Sequence, residues 1–345
     1  MKKFNYEEIM AATNGFSLDL LIGKGSHGRV YKAVLAGRKG GAAAVAVKTP
    51  SDAAEPSKLE NEIQILSSFR SRHIVNLVGV SITPAGGKQL LVMEYMPNGS
   101  LQHLLHSSPE PPSWRRRAAA AVEVARALLA LHRSSPPIVH RDVKSANILF
   151  DRRWRARLAD FSLAAVVDGR PDLPAAGTMG YLDPGYGGPG RVGPAVDVFS
   201  FGVVLLELVS GRRAIDVTRE PAAVVEWAVP RIAGGRWAAA AVRDRRVELE
   251  EEMEGVVEKM MAVAARCVAA EDWQRPRMEE VVAELERALE GVRRPVFSAP
   301  VGRMVIGRWV RGWKRLSARR VTTAATKIVC QGHLMDGDGQ ADERS

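Results

Sequence analysis

Cysteine is nearly absent from this 345-residue chain. Only Cys267 and Cys330 occur, which argues against a disulfide framework and for a reducing compartment. Also missing is an uninterrupted apolar run of bilayer length. The apolar stretch 201–209 contains Glu207 and follows Asp197, so it suits a buried core helix. The opening MKKFNYEEIM has no apolar h-region, and Lys2 stands where N-myristoylation needs glycine. The expectation is a cytoplasmic chain with no membrane-spanning segment.

Charge is present in excess but unevenly placed. The chain carries a net +10, of which 293–345 supply seven, with eleven Lys or Arg against four Asp or Glu. The high pI therefore describes a tail, and no nucleic-acid partner is expected. In that tail Val305, Ile306, Trp309, Val310, Trp313 and Leu316 share one helical face, flanked by arginines and Lys314. A basic amphipathic helix of this kind can lie on an anionic membrane or fill a calmodulin-like groove. Gly307 and Gly312 weaken it as an isolated helix, and a solvated tail is the plain alternative.

What the chain does hold is a concentrated set of polar motifs. The segment 140–147, HRDVKSAN, puts a carboxylate (Asp142), a cation (Lys144) and an amide (Asn147) on one short loop. Phosphoryl transfer uses that set: a base for the acceptor hydroxyl, a positive charge near the moving phosphate and a metal ligand. Upstream, 23–30 reads G-x-G-x-x-G-x-V. Glycines there let the backbone approach phosphates, although dinucleotide folds and ordinary turns share the pattern. β-prone residues follow it, where a dinucleotide site would open a helix, so a hairpin over a nucleotide fits better.

The run 45–48, VAVK, alternates like a strand and ends on Lys48. Leu59, Ile63 and Leu66 recur at helical spacing, and Glu62 borders that stripe, placed to face Lys48 across a cleft. Glu60 is the other acid available. Downstream, Asp160 follows a short apolar strand, a place for a metal-binding carboxylate.

Taken with 4–9 (FNYEEI), 12–16 (ATNGF), 93–101 (MEYMPNGSL) and 177–184 (GTMGYLDP), these motifs resemble the plant receptor-like and receptor-like cytoplasmic serine/threonine protein kinases, related to the Pelle and interleukin-receptor-associated kinases. The resemblance covers about 4–292 and implies an α+β, two-lobed kinase fold. It implies a lead-in at 1–16 with a helix over 8–13, a small β-rich lobe at 17–95, a helical lobe at 96–292 and a flexible basic tail at 293–345. Helices are expected over 118–132 and from 278 to about 289, with a hairpin turn at Gly86-Gly87 and an exposed loop at 109–112.

The same resemblance assigns ATP binding to Ile22, Gly23, Lys24, Gly25, Ser26, His27, Gly28, Val30, Ala46, Lys48, Met93 as gatekeeper, Glu94 and Met96. It gives Glu62 the positioning of Lys48, Asp142 and Lys144 the catalytic roles, and Asn147 and Asp160 the metal, Mg²⁺ with Mn²⁺ as a substitute. Lys144 two residues after Asp142 is the serine/threonine pattern. The implied partners are protein substrates and a membrane receptor kinase, with peripheral attachment at the plasma membrane.

Three departures from the family pattern stand out. Ser162 replaces the usual glycine after Asp160-Phe161, which restricts a segment that many kinases flip. Gly185 replaces a glutamate that normally pairs with the residue corresponding to Arg275, leaving that cation dependent on a neighbour such as Asp183. Between Ser162 and Thr178 there is no Ser, Thr or Tyr, so Arg141 lacks the usual phosphorylated partner in this loop, and Asp168 or Asp172 could stand in for it. Thr178 itself falls where relatives contact the catalytic loop. These departures make a nucleotide-binding pseudokinase scaffold the alternative reading.

Overall fold

The computed structural model describes residues 1–25, 28–36, 41–50, 56–84, 87, 89–168, 174–187 and 192–293. Its first part is a sheet: β1 (Lys2–Lys3), α1 (Tyr6–Ala12), β2 (Leu21–Gly25), β3 (Gly28–Ala36), β4 (Ala42–Thr49), α2 (Pro56–Ser68), β5 (Leu77–Ile82) and β6 (Gln89–Glu94). The strands lie in the order β1-β5-β6-β4-β3-β2. Only the β1–β5 pair is parallel. In β3, Tyr31, Ala33 and Leu35 point inward and Val34 outward, the period-two pattern of a half-buried strand.

Residues 1–16 join this sheet through β1. Lys2 pairs with Gly79, where a Cβ would stand 2.2 Å from the Lys2 carbonyl oxygen, so only glycine admits the strand. Phe4 and Ile9 then pack with Val45, Val47, Leu90 and Val92. The helix starts at Tyr6, two residues earlier than the apolar pattern suggests, because Asn5 caps it by accepting from Glu7 N at 3.1 Å.

The second part is helical. It comprises α3 (Leu101–His106), α4 (Trp114–His132), the short strands β7 (Ile138–Val139), β8 (Ile148–Phe150), β9 (Ala156–Leu158) and β10 (Ala165–Val166), then α5 (Pro194–Ser210), α6 (Val224–Ala233), α7 (Arg236–Ala240), α8 (Glu254–Cys267) and α9 (Met278–Arg293). Helix α5 is buried from Val196 to Ser210, and α4, α8 and α9 surround that part of the core. Ser113 caps α4, so the helix begins four residues before the alanine-rich run and buries Trp114 and Arg117. Arg117 is held by Asp244 at 2.7 Å and by the Pro112 and Leu208 carbonyls at 2.8 and 2.7 Å. This is a two-lobed α+β architecture. The expected turn residue Gly86 and the tail from 294 onward lie outside the described residues, and no described helix is long and apolar enough to cross a membrane.

Candidate active site

Strand β4 delivers Lys48 beneath the β2–β3 hairpin, and α2 delivers Glu62 toward it. Helix α2 turns Leu59, Ile65 and Leu66 into the core, which fixes Glu62 on the inner side while Glu60 stays exposed. Lys48 Nζ lies 2.6 Å from Glu62 Oε2 and 2.9 Å from Asp160 Oδ1. Burial works against the Lys48 charge, but the two carboxylates outweigh it and hold the ammonium above its ordinary range. Burial pushes the Glu62 carboxyl up, and Lys48 opposes that push. Glu62 Oε1 also accepts from Phe161 N at 3.2 Å, tying α2 to the segment that carries Asp160.

The loop between β7 and β8 supplies the rest. Asp142 Oδ1 accepts from the Thr178 hydroxyl at 2.6 Å, and Asp142 Oδ2 lies 2.7 Å from Lys144 Nζ. Lys144 donates in turn to Thr178 Oγ1 at 2.8 Å. Asn147 Nδ2 donates to the Asp142 carbonyl at 2.9 Å and to its Oδ2 at 3.0 Å. Thus Asp142, Lys144 and Thr178, the last 36 positions beyond the first, close one hydrogen-bonded ring, which Asn147 joins at Asp142.

The loop backbone is anchored from α5. Asp197 accepts from His140 N and Arg141 N, each at 2.8 Å, and contacts His132 Nε2 at 2.9 Å. Burial alone would raise the Asp197 pKa, yet His132 and His140 hold it below its ordinary value. With that support Arg141 keeps φ +68°; Asp160, paired with Lys48, has φ +65°, both left-handed values that non-glycine residues seldom adopt. The His140 and Phe161 rings meet edge to face at 4.9 Å.

The remaining expected nucleotide residues surround this centre. Ile22, Gly23, Lys24 and Gly25 lie on β2 and Gly28 and Val30 on β3, with Gly25 opposite Gly28. At Gly28 φ is +141° and a Cβ would meet the Thr49 carbonyl oxygen at 2.0 Å. Ser26 and His27 fall outside the described residues. Ala46 pairs with Met93, and both are buried. Glu94 N donates to Asn76 O at 3.1 Å, while its carboxylate reaches Arg157 at 3.2 Å. Met96 packs on the core just beyond β6.

Asn61 belongs to the site without any motif to mark it. Its Nδ2 donates to the carbonyls of Phe161, Ser162 and Ala164 at 3.3, 3.2 and 2.8 Å. Ser162 Oγ is buried and has no hydrogen-bond partner among the described residues. Arg141 Nε bonds the Tyr186 hydroxyl at 2.7 Å and its Nη2 the Pro174 carbonyl. Asp172, one proposed anion for Arg141, lies outside the described residues.

Arg275, without the usual glutamate, is paired with the neighbouring acid Asp183. Asp183 takes both guanidinium ends, Nη2 at 2.8 Å and Nη1 in a shorter contact, and three carbonyls accept the remaining protons. Phe199 lies 5.1 Å beneath the same guanidinium. Gly185 N donates to Asp183 at 2.9 Å, so the glycine position helps to orient the substitute carboxylate.

Comparison with known proteins agrees with this geometry. The profile of the family described as protein tyrosine and serine/threonine kinase matches residues 16–285. A serine/threonine-protein kinase-like protein of Arabidopsis thaliana is 44% identical over 82% of this chain and 62% of its own length. Another protein of that description and species is 40% identical over 96% of this chain and 99% of its own. The Arabidopsis proline-rich receptor-like protein kinase PERK2 is 40% identical over 82% of the chain, which spans 40% of that longer protein. A matched profile over most of the described residues, with the lysine, acid and amide groups assembled as above, means that the chain belongs to the protein tyrosine and serine/threonine kinase family.

Proposed function

We propose that this protein transfers the γ-phosphoryl group of ATP to serine or threonine hydroxyls of protein substrates. The observation that carries this reading is the ring of Asp142, Lys144 and Thr178 with Asn147 bonded to Asp142. Asp142 accepts the substrate hydroxyl proton, exchanging its Thr178 bond for one to the acceptor. Lys144, already 2.7 Å from that carboxylate, offsets charge on the moving group. Its position two residues after Asp142 favours serine or threonine over tyrosine.

Lys48, gripped by Glu62, orients the ATP phosphates under the 23–28 hairpin, with Ile22, Val30 and Ala46 against the base. The Glu94 N–H is spent on Asn76, which leaves the Glu94 carbonyl and the Met96 backbone for adenine.

The donor set also fits Mg²⁺. Asn147 uses Nδ2 for its two bonds to Asp142, so its Oδ1 is the end available to a cation. Asp160 supplies a carboxylate that keeps about a quarter of its side chain exposed. Two oxygen-bearing residues suit an ion that retains water and takes phosphate oxygens as further ligands. Asn147 and Asp160 would hold Mg²⁺, which would supply positive charge to offset that developing on the transferring phosphoryl group.

The relatives that are receptor-like kinases support work next to a membrane receptor kinase, on the cytoplasmic face. The basic tail, with its proposed membrane or calmodulin-like contact, lies outside the described residues. The pseudokinase reading drew on Gly185 and Ser162; Asp183 pairs with Arg275 in place of the missing glutamate, and Asp160 stays 2.9 Å from Lys48 with Ser162 in the following turn.

The test is incubation of the purified chain with labelled ATP and Mg²⁺ beside Lys48→Met and Asp142→Asn. Phosphoserine or phosphothreonine made only by the parent is the expected result. ATP binding without transfer by the parent would leave a scaffold.

A further inference from the structure

A second cavity lies away from the site just described, where the loop following α5 meets the loop preceding α8. It is open to solvent and measures about 470 Å³, within the size range of small-ligand sites. Its lining is strongly one-signed: Arg212, Arg213, Arg219, Arg243, Arg245 and Arg246 against Asp216 and Asp244.

Both carboxylates are already committed. Asp244 takes the buried Arg117 at 2.7 Å and Arg246 through two bonds of 2.9 Å. Asp216 takes Arg219 at 2.9 Å and the Thr218 hydroxyl at 2.5 Å. Arg213, Arg243 and Arg245 have no anionic partner among the described residues. A protein that only needed solubility would spread such charge, because clustering like charges costs stability.

The cavity is also shaped. Arg212 stacks on Trp227 at 4.1 Å, and Arg231 lies 5.1 Å from the same ring. The indole fixes the Arg212 plane before any ligand arrives, which lowers the ordering cost of binding. Burial, then repulsion from Arg219, holds the Arg212 pKa below its ordinary value, so an arriving anion would relieve a strain already present.

From this geometry we infer that the cavity is a binding site for a compact polyphosphorylated ligand, either a free inositol polyphosphate or the headgroup of a phosphoinositide lipid. Planar guanidinium forks match phosphate oxygens in pairs, and several converging forks reward several phosphates on one small scaffold. An extended nucleic-acid strand would need its cations along a track, and here they converge on one compact site. The site stands apart from the phosphoryl-transfer residues and does not depend on the function proposed for them.

The test is calorimetric titration of the full chain with inositol hexakisphosphate at about 150 mM salt, where surface attraction is largely screened. The native chain should bind, and Arg213→Glu/Arg245→Glu should bind at least about tenfold more weakly with unchanged melting temperature and kinase activity. Arg311→Glu/Lys314→Glu/Arg315→Glu, which reverses charge in the tail, should bind as the native chain does. Phosphatidylcholine vesicles with and without phosphatidylinositol bisphosphate then separate the sources. Co-sedimentation that needs both the lipid and the cavity arginines identifies the headgroup, and titration binding without it identifies the free polyphosphate. No binding to the native chain, equal binding by the cavity variant, or loss only in the tail variant would overturn the inference.

Discussion

Asp183 holds Arg275 through both guanidinium ends, in a pocket where each residue is less than a tenth exposed. The pair stands where the family pattern would use a glutamate at 185. A buried cation stripped of its partner costs roughly 3–5 kcal/mol, whereas replacing both charges with apolar groups is often near neutral. Asp183→Ala should therefore lower the unfolding free energy by about that amount, and Asp183→Ala/Arg275→Met should recover most of it. Urea denaturation of the two variants measures both. Equal loss in the single and the double variant would mean that packing, not the charge, is what Asp183 provides.

The pattern of what was readable follows the physics. Lys48, Asp142, Lys144, Asn147 and Asp160 could be read from sequence because the chemistry fixes their types at short local spacings. Glu62 could be read because it borders a helical apolar stripe, and the structure now separates it from Glu60. Asn61 was invisible: its three acceptors lie about a hundred residues away, on backbone atoms that carry no sequence signature. β1 was equally hidden, since two lysines have no periodicity and their place depends on the missing side chain at Gly79. Asp183 could only be named as a neighbour, because its reach to Arg275 spans 92 residues.

Asn61 gives a prediction that rests on its three backbone contacts. Without it three carbonyls of the 161–164 segment lose their shared donor. Asn61→Leu should preserve the fold, at a cost of about 1–3 kcal/mol, and should lower kcat more than it raises KM for ATP. Hydrogen exchange focused on 160–166 should rise in the variant. A global loss of protection would instead make Asn61 an ordinary stability residue.

Ser162 points the other way. Its buried hydroxyl lacks a partner among the described residues, and such a group costs about 1–3 kcal/mol to desolvate. Ser162→Ala should be neutral or stabilising by up to about 1 kcal/mol in urea, with phosphoryl transfer retained. A loss of transfer at unchanged stability would assign the hydroxyl a direct part in the reaction.

Asp197 sets an acid limit. Its folded pKa is depressed, so its contribution to stability is present above the unfolded carboxylate value of about 4 and is lost as pH falls through the folded one. Asp197→Asn removes that contribution at neutral pH along with the grip on His140 N and Arg141 N. The stability gap between the native chain and the variant should be widest at pH 6–7 and shrink below about pH 4. A gap independent of pH would show that shape, not charge, is what position 197 supplies.

Thr178 closes the catalytic ring and is the first hydroxyl after Ser162, so it tests how the activation segment is controlled. Its hydroxyl donates to Asp142 while accepting from Lys144. A phosphate or a carboxylate there would face Asp142 with like charge and capture Lys144, which the moving phosphoryl group needs. Thr178→Glu should therefore abolish transfer, and Thr178→Val should reduce kcat by about 10²-fold or more by freeing both partners. Thr178→Ser, which keeps the hydroxyl, should retain most of the rate. Phosphopeptide mapping of the active protein should find no activating phosphate on Thr178. A Thr178→Glu variant as active as the parent would make this residue a switch after all, and would return Arg141 to the role of docking its phosphate.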